Sequence, residues 1–131
     1  MGTKEDHIKY RIEKSYATLK SDKVLAANGC WDSCVNRLCY SSFALITALL
    51  LKNNYEAKSH AGIRIQFYNH FVKTGLVSIE NGKLYSKLFD IRQKEDYSDF
   101  INYEEDTIMP LITEVEEFNK KILELLIDHK S

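Results

Sequence analysis

The chain has 131 residues, 44% hydrophobic and 28% charged, with a formal net charge of −1. That is the length of one domain and the composition of a chain that builds a core, so a single folded unit over 1–131 is expected and a disordered tail is not. The near-zero charge balance argues against binding long nucleic acid by bulk charge and does not exclude a small local phosphate site.

Five glycines and one proline are too few to punctuate many short strands, so long helices are expected. Taken in chain order, the first helix is predicted over about Lys4–Lys20, with Ile8, Ile12, Tyr16 and Leu19 as its apolar stripe. Ser21 and Asp22 read as the cap of a short second piece that stops at Asn28-Gly29. The next helix is predicted over Trp31–Lys52. From Phe43 onward nearly every position is apolar, so neighbours on all sides are expected. A third main helix is predicted over Ser59–Lys73, with Ile63, Phe67 and Phe71 at four-residue spacing and Gly75 just beyond. The segment Leu76–Asn81 can be extended, and Asn81-Gly82 reads as a turn. A fourth helix is predicted over Lys83–Lys94, followed by a polar, aromatic loop from Glu95 to Glu105. The last runs from near Asp106 to Asp128 and buries Ile108, Ile112, Val115, Ile122 and Leu125. Pro110 fits it best in the first turn, where backbone N–H groups have no intrahelical partner. Short connections then give an all-α, antiparallel up-and-down bundle of four to five helices.

The charged N-terminus, Met1 to Lys14, carries no signal-peptide pattern. The apolar run Phe43–Leu51 is too short to span a bilayer. A soluble, cytoplasmic protein with no membrane partner is expected. Cys30, Cys34 and Cys39 are odd in number and close in sequence, which suits a reducing compartment. Cys30 and Cys34 lie one turn apart, but no histidine or fourth cysteine nearby completes a zinc site, so no metal and no cofactor are expected.

Three constellations can carry chemistry. Arg92 and Asp96 are four residues apart and share a face if the helix continues, and Tyr97 follows. Arginine is a fork for phosphate, a carboxylate can orient it or take a proton, and a tyrosine can donate or stack. From residue types alone a helix-end ion pair is the more economical reading. Arg37, with Tyr40 and Ser41, sits in an apolar helix. It either faces a polar cleft shared with Arg92 or pairs with an acidic neighbour. Arg64 and His70 are six steps apart, about 600° at ~100° per residue, and fall on different faces. His70 then reads as a polar helix residue, and Lys58 and His60 as solvated ones.

The segment Arg37-Leu38-Cys39-Tyr40-Ser41-Ser42-Phe43 resembles the R-x-x-Y-x-x-F signature of bacterial HEPN proteins. Ser59-His60-Ala61-Gly62, with His70-Phe71-Val72-Lys73-Thr74-Gly75, resembles the next block of that family, and Leu88 to Tyr97 the third. The likeness runs from about residue 5 to 128, to the small HEPN proteins that accompany a separate nucleotidyltransferase. It implies a helical bundle that dimerises, and a toxin–antitoxin-type system acting on RNA or nucleotide phosphate. Many members are metal-independent endoribonucleases, with an arginine followed within several residues by a histidine before the final helix. Arg92 stands at that arginine, and Asp96-Tyr97 stands where the histidine is expected. The resemblance therefore implies Arg92, Asp96 and Tyr97 as catalytic residues and Arg37, Tyr40 and Arg92 as phosphate- or nucleotide-binding ones. The alternative is a non-catalytic module that binds a nucleotide or a partner. An aspartate with a pKa of about 4 is a weaker base at neutral pH than an imidazole.

Overall fold

Why the chain becomes helices is visible at their ends. The computed structural model describes residues 2–97 and 104–127, and for 93–97 the backbone alone. Helix α1, Lys4–Ala27, opens on a capping box. The Thr3 hydroxyl accepts from the Asp6 N–H at 3.1 Å, and the Asp6 carboxylate accepts from the Thr3 N–H at 3.1 Å. It closes at Asn28, with Gly29 at φ 72°. Helix α2 spans Trp31–Lys52, as the spacing predicts, and Asn53 ends it. Helix α3, His60–Phe67, starts at Ser59, whose hydroxyl accepts from the Gly62 N–H at 2.9 Å. Helix α4 spans Ile79–Tyr97 and α5 spans Glu105–Leu126. No strand occurs among the described residues.

Four expectations need correcting. First, α1 does not break at Ser21-Asp22. Asp22 is fully buried and accepts a hydrogen bond from the Cys34 thiol on α2 at 2.7 Å, so its carboxylate ties two helices together instead of capping one. On the same helix Tyr16 faces water, and the inward position belongs to Ser15, whose hydroxyl donates to the Ser41 carbonyl at 2.8 Å. Second, Tyr68–Val72 is a turn of π-helix, closed by the Lys73 N–H donating to the Tyr68 carbonyl at 2.8 Å. Third, Asn81-Gly82 is not a turn but lies inside α4. Ser78 starts that helix, accepting from the Asn81 N–H through its hydroxyl and from the Gly82 N–H through its carbonyl. Glycine is required at 82 because a Cβ there would stand 2.9 Å from a Val72 methyl. Fourth, α4 runs on to Tyr97, and α5 starts at Glu105 with Pro110 in its second turn. The carbonyl that Pro110 cannot serve belongs to Asp106, which is exposed to water. The remainder of the expected loop, and the end of the last helix at Asp128, lie outside the described residues.

Helix α2 is the hub, packing against α1, α3, α4 and α5. By length and composition it could cross a membrane, contrary to the reading of its apolar run as too short. What marks it as a core helix is its packing, with Val35, Leu38, Leu45, Ile46, Ala48 and Leu49 almost fully buried. Two clusters make up the core. One is aromatic, with Phe67 against Tyr85 and Phe118 at ring separations of 5.2 and 6.1 Å. The other is aliphatic and joins Val35 and Leu38 to Leu88, Ile108 and Val115. Burying each such side chain contributes about 1.5–3 kcal/mol relative to exposure. Between α1, α2 and α5 the core also holds hydroxyls and an amide. Asn119 donates to the Ser41 hydroxyl at 3.1 Å and accepts from the Ser42 hydroxyl at 2.9 Å. This assigns Ser41, first grouped with Arg37, to the core.

Candidate functional site

Helix α4 turns one face toward the middle of α2. Tyr85, Leu88, Phe89 and Arg92 follow the i, i+3, i+4, i+7 spacing of such a face, and Tyr85 and Leu88 sink into the core. The Cys39 thiol, donating to the Leu88 carbonyl at 3.4 Å, pins the crossing. Further along, Arg92 reaches back over α2. Its Nη2 donates to the Tyr40 hydroxyl at 2.6 Å, and its guanidinium carbon lies 4.5 Å from the Tyr40 ring centroid. His60, the first residue of α3, stacks on Phe43 at 4.7 Å with the planes 8° apart. Tyr40, Phe43, His60, Tyr85, Phe89 and Arg92 thus surround a cavity of about 30 Å³. That is room for about one water molecule. Burial pushes the Tyr85 phenol well above its ordinary pKa, which keeps it a neutral hydroxyl in this wall.

Of the residues singled out from sequence, Arg92 and Tyr40 meet. Arg37 is elsewhere. It is exposed and lines an open groove between α1 and α2, about 450 Å³ in volume, which adjoins the first cavity and shares Tyr40 and Phe43 with it. The two arginines therefore do not share a cleft; Tyr40 and Phe43 are common to both spaces. Asp96 and Tyr97 belong to the unbroken last turns of α4, but their side chains lie outside the described residues. Arg64 pairs loosely with Asp90 at 3.9 Å and lies over Phe89 at 4.4 Å, while His70 stacks on Tyr55 at 3.7 Å. They form no joint site, as their spacing requires.

His60 is the residue that sequence reasoning missed. It was read as solvated, and it is exposed, but it also lines the cavity with Arg92. Its signal was present in the second family block, where Ser59 caps α3 and fixes the histidine at the helix start. The cysteines, by contrast, divide into exposed Cys30 and buried Cys34 and Cys39. Burial and the Asp22 carboxylate push the Cys34 thiol pKa up, so it stays an S–H donor and not a nucleophile. No group of three metal-binding side chains occurs among the described residues.

Known proteins resemble this chain over about two thirds of its length or more. A "UPF0332 protein" of Thermotoga maritima is 35% identical over 130 residues, covering 99% of this chain and 98% of its own. Two Methanocaldococcus jannaschii proteins bear the name "Putative toxin". One is 32% identical over 93 residues, covering 71% of this chain and 69% of its own. The other is 31% identical over 86 residues, covering 66% and 58%. The family model described as HEPN domain matches residues 8–125, which takes in all five helices almost to their ends, so the chain belongs to the HEPN domain family.

Proposed function

We propose that this chain is the RNA-acting member of a toxin–antitoxin-type pair, and that the pocket at Arg92 receives a phosphodiester. The observation that carries the reading is the Arg92–Tyr40 pair standing beside an imidazole in one cavity wall. The toxin names of two relatives support the setting. Arginine supplies the planar donor fork that fits phosphate oxygens. An imidazole titrates near neutrality and is the better group to take a proton from a ribose 2′-OH. In the proposed reaction the 2′-oxygen attacks phosphorus as His60 takes its proton. The bond to the 5′-oxygen breaks, leaving a 2′,3′-cyclic phosphate, and the 5′-oxygen takes a proton from water. Asp96 and Tyr97, one turn beyond Arg92, orient the arginine and support the phosphate. The partner in this reading is a nucleotidyltransferase-type protein, and the active form is a cytoplasmic homodimer.

The replacement of the family histidine by Asp96-Tyr97 favours a second reading, in which the Arg92 pocket holds only the phosphate of a nucleotide, or a partner, without cleaving it. One experiment separates the two. Purified protein is incubated with end-labelled single-stranded RNA in EDTA, and products are assayed for 2′,3′-cyclic ends. Cleavage is expected, and both Arg92→Ala and His60→Ala should slow it at least ~100-fold, the usual effect of losing a charge-stabilising donor or a general base. Melting temperatures should stay near wild type. Binding without cleavage, with or without added metal, would establish the second reading. If Arg92→Ala altered neither cleavage nor binding, both would fall.

A further inference from the structure

The groove between α1 and α2 is the larger space and the more basic one. Its α1 wall presents Tyr10, Arg11 and Lys14, and its α2 wall presents Arg37, Tyr40 and Thr47. Three cations line it, and no carboxylate does among the described residues. In a chain with 18 basic and 19 acidic residues, that is a local concentration which the net charge conceals. Arg11 is partly committed, donating to the Thr47 carbonyl at 3.2 Å. No ion pair among the described residues engages Lys14 or Arg37. Tyr10 is 59% exposed and Tyr40 38%, so each ring offers a face to a ligand.

Cations along a groove, with exposed aromatic rings between them, are the means by which proteins hold a single strand. The cations track phosphates and the rings stack bases, with little sequence preference. The volume of about 450 Å³ lies in the range of ligand-binding clefts, whereas the Arg92 cavity of about 30 Å³ accommodates no nucleotide. The two spaces share Tyr40, so a strand lying in the groove would bring its next phosphate to Arg92. We infer that the α1–α2 groove is a single-stranded RNA track, with Lys14, Arg37 and Arg11 holding phosphates and Tyr10 and Tyr40 stacking bases, leading to the Arg92 pocket. The inference rests on the proposed function and extends it by Tyr10, Arg11 and Lys14, which no motif marks.

The test measures binding of fluorescent 2′-O-methyl oligouridylates, which lack the attacking hydroxyl, at lengths of two and eight nucleotides over a range of salt. The eight-mer should bind at least ~10-fold more tightly than the two-mer. Lys14→Glu and Tyr10→Ala should each weaken the eight-mer about 5- to 10-fold and leave the two-mer unchanged. Lys14→Glu should also reduce the slope of log affinity against log salt by about 0.7, the value for one phosphate contact on a single strand. Both substitutions are at exposed positions, and a thermal melt checks that each variant folds. Equal affinity for the two lengths, or an unchanged salt slope in Lys14→Glu, would overturn the groove. If Arg92→Ala still weakened the two-mer in that case, the pocket reading would survive alone. If wild-type protein bound neither oligomer, both would fall.

Discussion

Helices α1 and α2 carry polar residues on two sides, and the sides behave differently. Facing inward, Ser15, Asp22, Ser41 and Ser42 are at most 3% exposed, and each has a partner within the chain. Facing outward along the same helices, Tyr10, Lys14 and Arg37 reach water with no ion pair among the described residues. Satisfied buried groups specify how two helices meet, whereas unspent exposed donors remain free for a ligand. The comparison assigns stability to one side and binding to the other. A substitution that moves the wrong quantity would break it.

The largest effect is expected at Asp22. Desolvation, the leading cause, raises its pKa from 3.8 to about 6; the Cys34 hydrogen bond opposes this, Glu116 adds to it and Lys23 relieves it. One of its carboxylate oxygens, Oδ2, has no hydrogen-bond partner among the described residues. With the folded pKa above the unfolded one, the folded state holds the proton more tightly. The stabilisation is complete below about pH 4 and is lost as pH rises through 6. The difference between the two states corresponds to on the order of 3 kcal/mol. Asp22→Asn should therefore melt higher than wild type at pH 7.5, and the gap should close by pH 4. Denaturant melts at the two values check this, and RNA affinity should not change. A gap of equal size at both values would show that the carboxylate does not titrate as described.

Asn119 is the next test. Its amide bridges Ser41 and Ser42 in the core, and truncation leaves the Ser42 hydroxyl without that acceptor. Asn119→Ala should cost about 2 kcal/mol, the scale for orphaning a buried hydrogen-bonding group, and should leave RNA binding intact. A loss of affinity in protein that remains folded would mean that the inner network shapes the groove, and the separation of the two sides would be less clean.

These inward groups also show where the sequence was legible. The α2 boundaries follow from apolar content between Trp31 and Asn53, and five helices follow from period alone. Asp22 was misread because a Ser-Asp pair is a local cap signal, and only the approach of Cys34 from another helix makes it a core residue. Asn81-Gly82 failed similarly. The turn signal was real, but the packing of Val72 requires glycine within the helix. At the site, Arg92 and Tyr40 were found through motif residues 52 positions apart, which no periodicity could have joined. The relation of Arg37 to Arg92 was not legible. Which cavity a side chain enters depends on how α1 and α4 flank α2, and residue types do not encode that.

The smallest expected effect carries the sharpest sign. Tyr40 belongs to both spaces, and its hydroxyl occupies a donor of Arg92 at 2.6 Å. A phosphate oxygen that takes this Nη2 donor does so by displacing that hydroxyl. Ligand binding therefore exchanges one hydrogen bond to Arg92 for another, and the lost bond is a cost. Tyr40→Phe removes the competitor and keeps the ring, both for the guanidinium above it and for a base in the groove. It should tighten two-nucleotide binding about 2- to 10-fold, the equivalent of one hydrogen bond of about 0.5–1.5 kcal/mol. Tyr40→Ala removes the ring as well and should weaken the eight-mer. If Tyr40→Phe instead weakened the two-mer, the hydroxyl would be a direct phosphate ligand, and Arg92 would be open to ligand without any exchange.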